Sequence, residues 1–302
     1  MAPMFLVTNT KMVIAAYKAD IIGCIPALNY RTIDKFTKAL GEMKEQTNST
    51  FGINLIVNKS NIYFKDQLKA IIKNPPSFVI TSLGSPKEVI DKCKPLGIKV
   101  FCDVVNIEQA KKVEALGADA IIAVNSGAGG HLGSMPASIL IPMLEKNCSL
   151  PIISAGGVGT YDGFKSILDL GAIGVSIGSP FIATIESDIS DEYKNAVVNY
   201  GAEDIITTKK ISGTPCTVIK TPYVEKLGED ENFIEKWLNK NKTLKKYLKM
   251  LVYKRGMNWL EKAAFSASYK TIWCAGPSIE FVNKILSIND LVKRLTNSQT
   301  DD

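Results

Sequence analysis

Arginine is scarce in this chain. Only Arg31, Arg255 and Arg294 occur, so the formal charge of +6 rests almost wholly on lysine. Arginine supplies the bidentate contacts used to read bases and phosphates. A lysine excess without it describes a solubilising surface more than a nucleic-acid footprint, and nucleic acid is not an expected partner. Close cysteine pairs are missing too. Cys24, Cys93, Cys102, Cys148, Cys216 and Cys274 are scattered, with no CxxC. No metal site is therefore expected, and the thiols read as free in a reducing compartment. The start, "MAPMFLVTNTKMVIAAYK", has no basic segment leading into a long apolar one. No apolar run reaches the roughly 18 residues of a membrane span. The expectation is a cytoplasmic chain with neither a secretory leader nor a membrane anchor.

What is present is ample core material, with 46% hydrophobic and 22% charged residues in 302. That length suits one α/β barrel with an appendage, or two domains. Short apolar runs alternate with helical patterns. The strand candidates are "DIIGCI" (20–25), "FGINLIV" (51–57), "SFVITSL" (77–83), "IKVFCDVV" (98–105), "ADAIIAVN" (118–125), "LPIISAGG" (150–157) and "IGVSIGS" (173–179). The stretches between them repeat apolar residues every three or four positions, as amphipathic helices do. Gly97, Gly117 and Gly171 stand where helix C-caps belong. Such alternation implies a parallel sheet covered by helices. With "APMFLV" available as an eighth strand, the expected fold is an α/β (β/α)₈ TIM barrel over residues 1–190. The runner-up, a doubly wound Rossmann or flavodoxin-like sheet, would want G-x-G-x-x-G after its first strand, and that region has none.

After about residue 190 the pattern changes. "YKNAVVNYGAEDIITTKKISGTPCTVIKTP" reads as irregular chain or short extended pieces returning over the barrel. From "NFIEKWLNKNKTLKKYLKMLVYKRG" onward the pattern is helical with lysine-rich faces, and "LSINDLVKRL" has an N-cap candidate at Ser287. A mainly helical second domain, 191–302, is expected to pack over the barrel mouth, with its last segment free to return to the barrel.

Active sites of such barrels form at the carboxyl ends of the strands. "NSGAGGHLGS", which follows the strand at 118–125, holds four glycines and the only histidine, His131. Glycine admits close backbone approach, and histidine moves protons near neutral pH. "AGGVGTYDG" and "GSPF" follow the next two strands. Glycine turns after the last two strands are the usual phosphate seat of this fold. Gly156, Gly157, Gly178 and Ser179 stand where that cup would be, and Ala128, Gly129 and Gly130 leave room for a flat ring. Two alternatives stay open: the glycines as ordinary turns, and His131 as a structural residue. Asp103 in "FCDVV" reads equally as a barrel-mouth group or a structural partner, and the cysteines read as plain buried residues.

"SGAGGHLG", "PIISAGGVGTYDG" and "LGAIGVSIGSPFIATIES" resemble the nitronate monooxygenase, or 2-nitropropane dioxygenase-like, flavoproteins. "APM", "IPALNYRT", "FGINL", "SLGSP", "ESDISDEYKNAVV" and "WCAGPS" extend the likeness over most of the chain, least between about 220 and 265. The family also includes flavin-dependent enoyl-acyl-carrier-protein reductases. The resemblance implies an FMN-dependent barrel. In it Gly156, Gly157, Gly178 and Ser179 bind the FMN phosphate, while Ala2, Pro3 and Met4 lie beside the isoalloxazine. Asn54 hydrogen-bonds the flavin, and Gly129 and Gly130 approach it. His131 is the active-site histidine, handling the substrate proton or binding the nitronate anion. Molecular oxygen reoxidises the flavin, releasing a carbonyl compound and nitrite. Where many members carry glutamine and glutamate upstream of the histidine, this chain has Val124 and Gly127, which bears on flavin tuning and substrate preference. "MAP" begins where the family's first strand is almost finished, so another segment closes the barrel or the start lies upstream. The expected partners are a nitronate or similar small anion and O2, with NAD(P)H as an optional donor and room for a homodimer. The alternatives are an NAD(P)H-dependent quinone or enoyl reductase on the same fold, a non-catalytic FMN-binding protein, and a phosphosugar barrel without flavin.

Overall fold

The computed structural model of the chain describes residues 1–59, 61–209, 214–227 and 272–297. In chain order the strands are β1 (Gly23–Pro26), β2 (Phe51–Ile56), β3 (Phe78–Ser82), β4 (Lys99–Val104), β5 (Ala120–Val124), β6 (Gly130–His131), β7 (Ile152–Ala155), β8 (Gly174–Ser176), β9 (Ile205–Thr208) and β10 (Cys216–Ile219). The helices are α1 (Thr10–Lys18), α2 (Ile33–Gln46), α3 (Phe64–Lys73), α4 (Lys87–Cys93), α5 (Ile107–Ala115), α6 (Ala137–Asn147), α7 (Tyr161–Asp169), α8 (Ser179–Ile182), α9 (Asp191–Asn199), α10 (Pro222–Leu227) and α11 (Ile288–Thr296). Among the described residues, no helix is long and apolar enough to cross a membrane.

β1, β2, β3, β4, β5, β7 and β8 pair in that order, all parallel. Their β-branched, apolar composition is what a sheet buried on both faces requires. One face packs on the helices through residues such as Ile53, Val79, Val100 and Ile121. The other fills the interior with Cys24, Phe78, Ile80 and Ile122, and Phe78 stacks on Phe101 at 4.4 Å.

"APMFLV" does not form an eighth strand. Met1 and Ala2 nevertheless bridge the sheet edges: Cys24 N donates to Met1 O (3.1 Å), and Ala2 N donates to Ile177 O (2.7 Å). Met4 to Thr8 then turn, with Leu6 at a positive φ of 61°, and lead into α1, a helix the sequence pattern had not suggested. Asn9 caps α1, its Oδ1 accepting from Met12 N at 2.8 Å. α3 is likewise a helix the sequence pattern had not suggested.

The expected C-caps Gly97, Gly117 and Gly171 all adopt left-handed φ, which glycine takes without strain. Ser287 caps α11, its Oγ accepting from Asp290 N at 3.1 Å. Past β8 the chain makes a long excursion and comes back. Ile185 N donates to Leu286 O at 3.0 Å, so the outgoing and returning strands touch. The Glu186 carboxylate accepts from Ile288 N at the head of α11. α11 packs between α7 and α1, the place of the last barrel helix. The excursion supplies α9, where irregular chain was expected, together with β9 and β10. β10 pairs with β9 and with β6 as a small antiparallel sheet. The helical pattern expected from residue 232 falls mostly outside the described residues.

Gly23 lies against α1, and a Cβ there would stand 2.8 Å from Val13 Cα and 3.2 Å from Ala16 Cβ. Backbone cannot yield as a side-chain tip can. Gly23→Ala should lower stability by about 1–3 kcal/mol, the usual cost of overpacking. A urea midpoint equal to the parent's would show that α1 can move off β1.

Candidate active site

A cavity of about 980 Å³ opens at the carboxyl ends of the barrel strands. It is at the top of the range of roughly 300–1,000 Å³ for small-molecule sites. Ala2, Pro3, Met4, Asn54, Gly129, Gly130, His131, Gly156, Gly157, Gly178 and Ser179 all line it.

The glycine segments meet backbone to backbone. Gly156 and Gly157 turn out of β7 with φ of 111° and 80°. A Cβ on Gly127 would stand 2.8 Å from Gly157 Cα, and one on Gly276 would stand 2.7 Å from Gly127 O. Neither position has room for a side chain. Gly127 therefore could not carry the family's usual glutamate with this backbone. Asn125 organises the turn instead. Its Oδ1 accepts from Gly127 N (2.7 Å), and its Nδ2 donates to Gly156 O (3.0 Å). Gly157 N donates to Gly127 O at 2.9 Å, so that N–H is already engaged. Among the described residues, the N–H groups of Gly156 and Gly178 meet no backbone carbonyl. Gly276 N donates to Ser179 Oγ at 2.8 Å, which ties the "WCAGPS" segment to the end of β8.

His131 lies on β6, opposite Cys216 of β10. Thr217 Oγ1 donates to Ala128 O at 2.8 Å and so holds the same turn from above. Desolvation by the surrounding protein lowers the His131 pKa from 6.5, favouring the neutral imidazole at neutral pH. Next to Cys216, the Cys274 Sγ lies 3.8 Å away, and this thiol contact, with burial second, raises the Cys216 thiol well above the ordinary range.

The motifs did not single out a polar chain on the barrel side. Asn54 Nδ2 donates to Ser82 Oγ at 2.7 Å, and Ser82 Oγ donates to Asp103 Oδ2. These residues end or nearly end β2, β3 and β4. Asp103 is thus a barrel-mouth group. Burial raises its pKa from 3.8 to about 6, with the Ser82 hydrogen bond opposing the shift. Folding therefore binds this proton more tightly than the unfolded chain does. The contribution is fully favourable below about pH 4 and is lost as pH rises through about 6. Asp103→Asn should accordingly raise the urea midpoint relative to the parent at pH 7.5, with the gain shrinking towards pH 4. A difference that does not vary with pH would refute the buried carboxylate.

A parallel barrel with a glycine-lined cavity and one histidine at its mouth defines an α/β-barrel protein built around a small-molecule site. Residues 59–298 match the family model described as nitronate monooxygenase. The chain belongs to that family. It is 28% identical over 226 residues to a Rhodococcus jostii strain RHA1 protein named (3aS,4S,5R,7aS)-5-hydroxy-7a-methyl-1-oxo-octahydro-1H-indene-4-carboxyl-CoA dehydrogenase, a match covering 75% of this chain and 63% of that one. The chain thus spans less than two thirds of that relative. A Staphylococcus saprophyticus protein named as a probable nitronate monooxygenase is 25% identical, with 83% of each chain covered. Among solved structures, FabK from Thermotoga maritima superposes with a TM-score of 0.84 at 26% identity, covering 98% of this chain and 90% of that one.

Proposed function

We propose that the chain is an FMN-dependent oxidoreductase that oxidises alkyl nitronates with O2 to a carbonyl compound and nitrite. One observation carries the reading: every residue that the family resemblance assigns to flavin or catalysis lines a single cavity. The donor set fits the group. Asn54 turns both amide hydrogens towards β3, to Ser82 Oγ and more weakly to Ile80 O (3.5 Å). Its Oδ1 is left, among the described residues, as an acceptor open to the cavity. Gly156 and Gly178 offer N–H groups for phosphate oxygens, and the small residues 128–130 keep the wall clear for a planar ring. When bound, FMN supplies the two-electron redox chemistry. The chain's own residues bind, orient and move protons. Neutral His131 has one ring nitrogen to accept a proton and one N–H to hold a nitronate oxygen. Residues 191–209, 214–227 and 272–287 cover the mouth as part of a second unit.

His131→Asn should keep FMN bound and lower nitronate turnover by about 10²-fold, the usual scale for a lost acid–base group. In the parent, the acid limb of kcat/KM should fall below pH 6.5, because desolvation lowers the His131 pKa. Full activity in the variant would exclude a proton role.

Gly157→Leu should lose its yellow colour; because a φ of 80° strains any side chain, its urea midpoint is read beside the flavin spectrum to separate a lost fold from a lost phosphate seat. A Cβ there meets nothing nearer than 3.9 Å, so the side chain would enter the open space of the cup. A variant that still bound FMN would move the phosphate elsewhere.

The carboxyl-CoA dehydrogenase named among the relatives favours a second reading, an NAD(P)H-linked reductase acting on a thioester. Anaerobic additions separate the two. Flavin bleaching by alkyl nitronate but not by NADH supports the first, and bleaching by NADH alone supports the second.

A further inference from the structure

Asn54 reaches Asp103 only through Ser82, and the direction of each hydrogen bond in that chain is set by the next. A carboxylate has no hydrogen to give, so ionised Asp103 obliges the Ser82 hydroxyl to donate to it. The Ser82 oxygen then has only lone pairs left for Asn54, which turns its NH2 to Ser82 at 2.7 Å and its carbonyl oxygen to the cavity. A protonated Asp103 reverses the constraint. Its O–H can donate to Ser82, the serine hydrogen is released, and the Asn54 amide can turn over to accept it, presenting NH2 to the cavity instead.

We propose that Asp103 is a positioning residue that acts through Ser82 to decide whether Asn54 offers the bound ligand a hydrogen-bond acceptor or a donor. Ser82, Asp103 and Asn54 all line the cavity, so the relay ends on the ligand side. Asp103 changes charge within a physiological span because burial places its titration at about 6. The other titratable groups lining the cavity are Cys102 on the same strand, Lys112 on α5, His131 on β6, Tyr193 on α9, Cys216 on β10 and Cys274. Asp103 is the only carboxylate among the described lining residues. Burial is the leading cause of its shift, and its other cause is the Ser82 bond. The relay rests on the FMN reading for its ligand, but its first link can be observed without any ligand.

Two measurements on the full chain test it. In the ligand-free protein, the Asn54 side-chain amide resonances, assigned by their loss in Asn54→Ala, should shift with a midpoint near pH 6. The shift should vanish in Ser82→Ala, which keeps the carboxyl group but cuts the link. It should vanish as well in Asp103→Asn. The dissociation constant of FMN, read by flavin fluorescence between pH 5 and 8, should change across the same midpoint. The expected size is about three- to tenfold, the scale of one hydrogen bond made or lost, and Ser82→Ala should abolish the step. A step that survives in Ser82→Ala would mean that Asp103 acts directly by its charge and would overturn the relay. So would Asn54 resonances that ignore pH around 6. If those resonances titrate as expected but FMN does not bind at any pH, the FMN reading fails and the relay stands.

Discussion

The site depends on backbone meeting backbone without side chains between. Gly127 packs on Gly157, Gly129 on Gly276, and Gly276 on the carbonyl of Gly127, each so closely that a methyl group would intrude. Three segments from distant parts of the sequence are thereby held at van der Waals contact: the turn after β5, the turn after β7, and the chain at 275–276. Such contacts are short, dry and stiff, because interiors packed at this density have little room to adjust. The hydrogen bonds that cross the junction use the same closeness. Gly157 donates to Gly127 O, Gly276 donates to Ser179 Oγ, and Asn125 links its own turn to Gly156. Placing Gly130 and His131 follows from this, since the short β6 strand continues directly out of the glycine turn and is pinned by β10.

The returning chain serves both the barrel and the cover. It stacks Trp273 on Tyr193 at 5.5 Å, brings Cys274 and Ser278 to the cavity wall, and ends as α11 in the gap between α7 and α1. The Glu186 carboxylate at the head of α11 and the pairing of Ile185 with Leu286 close the excursion where it opened. One returning stretch therefore supplies both part of the cavity wall and the last helix of the outer ring.

The barrel strands could be read from sequence because parallel strands buried on both faces become nearly continuous apolar runs. The same logic misled at the N-terminus. "APMFLV" is as apolar as a strand, yet only Met1 and Ala2 take ladder bonds before the turn at Leu6. α1, "TKMVIAAYK", was hidden because its β-branched and aromatic residues blur the helical period. The location of the site was legible, since glycine clusters at strand ends have few other uses. Its polar wiring was not. Asn54, Ser82 and Asp103 are 28 and 21 residues apart, and only the parallel register of β2, β3 and β4 makes them neighbours. Gly276 was invisible for a related reason: what its missing side chain avoids lies about 150 residues earlier.

Desolvation moves Asp103 and the solvent-facing His131 of the cavity in opposite directions, and both moves favour the uncharged form. The Asp103 carboxyl goes up to about 6 and the His131 imidazole goes down. At neutral pH the result is asymmetric. Asp103 still carries its negative charge on the barrel side, while His131 is neutral at the mouth. In the proposed reaction, an anionic substrate would be repelled from the strand ends of β3 and β4 and would meet His131 at the mouth. On the proposed reading, the charge of half-buried Asp103 and its hydrogen bonds act on the same wall. In that reading the wall orients the ligand, and the nitronate belongs at the mouth.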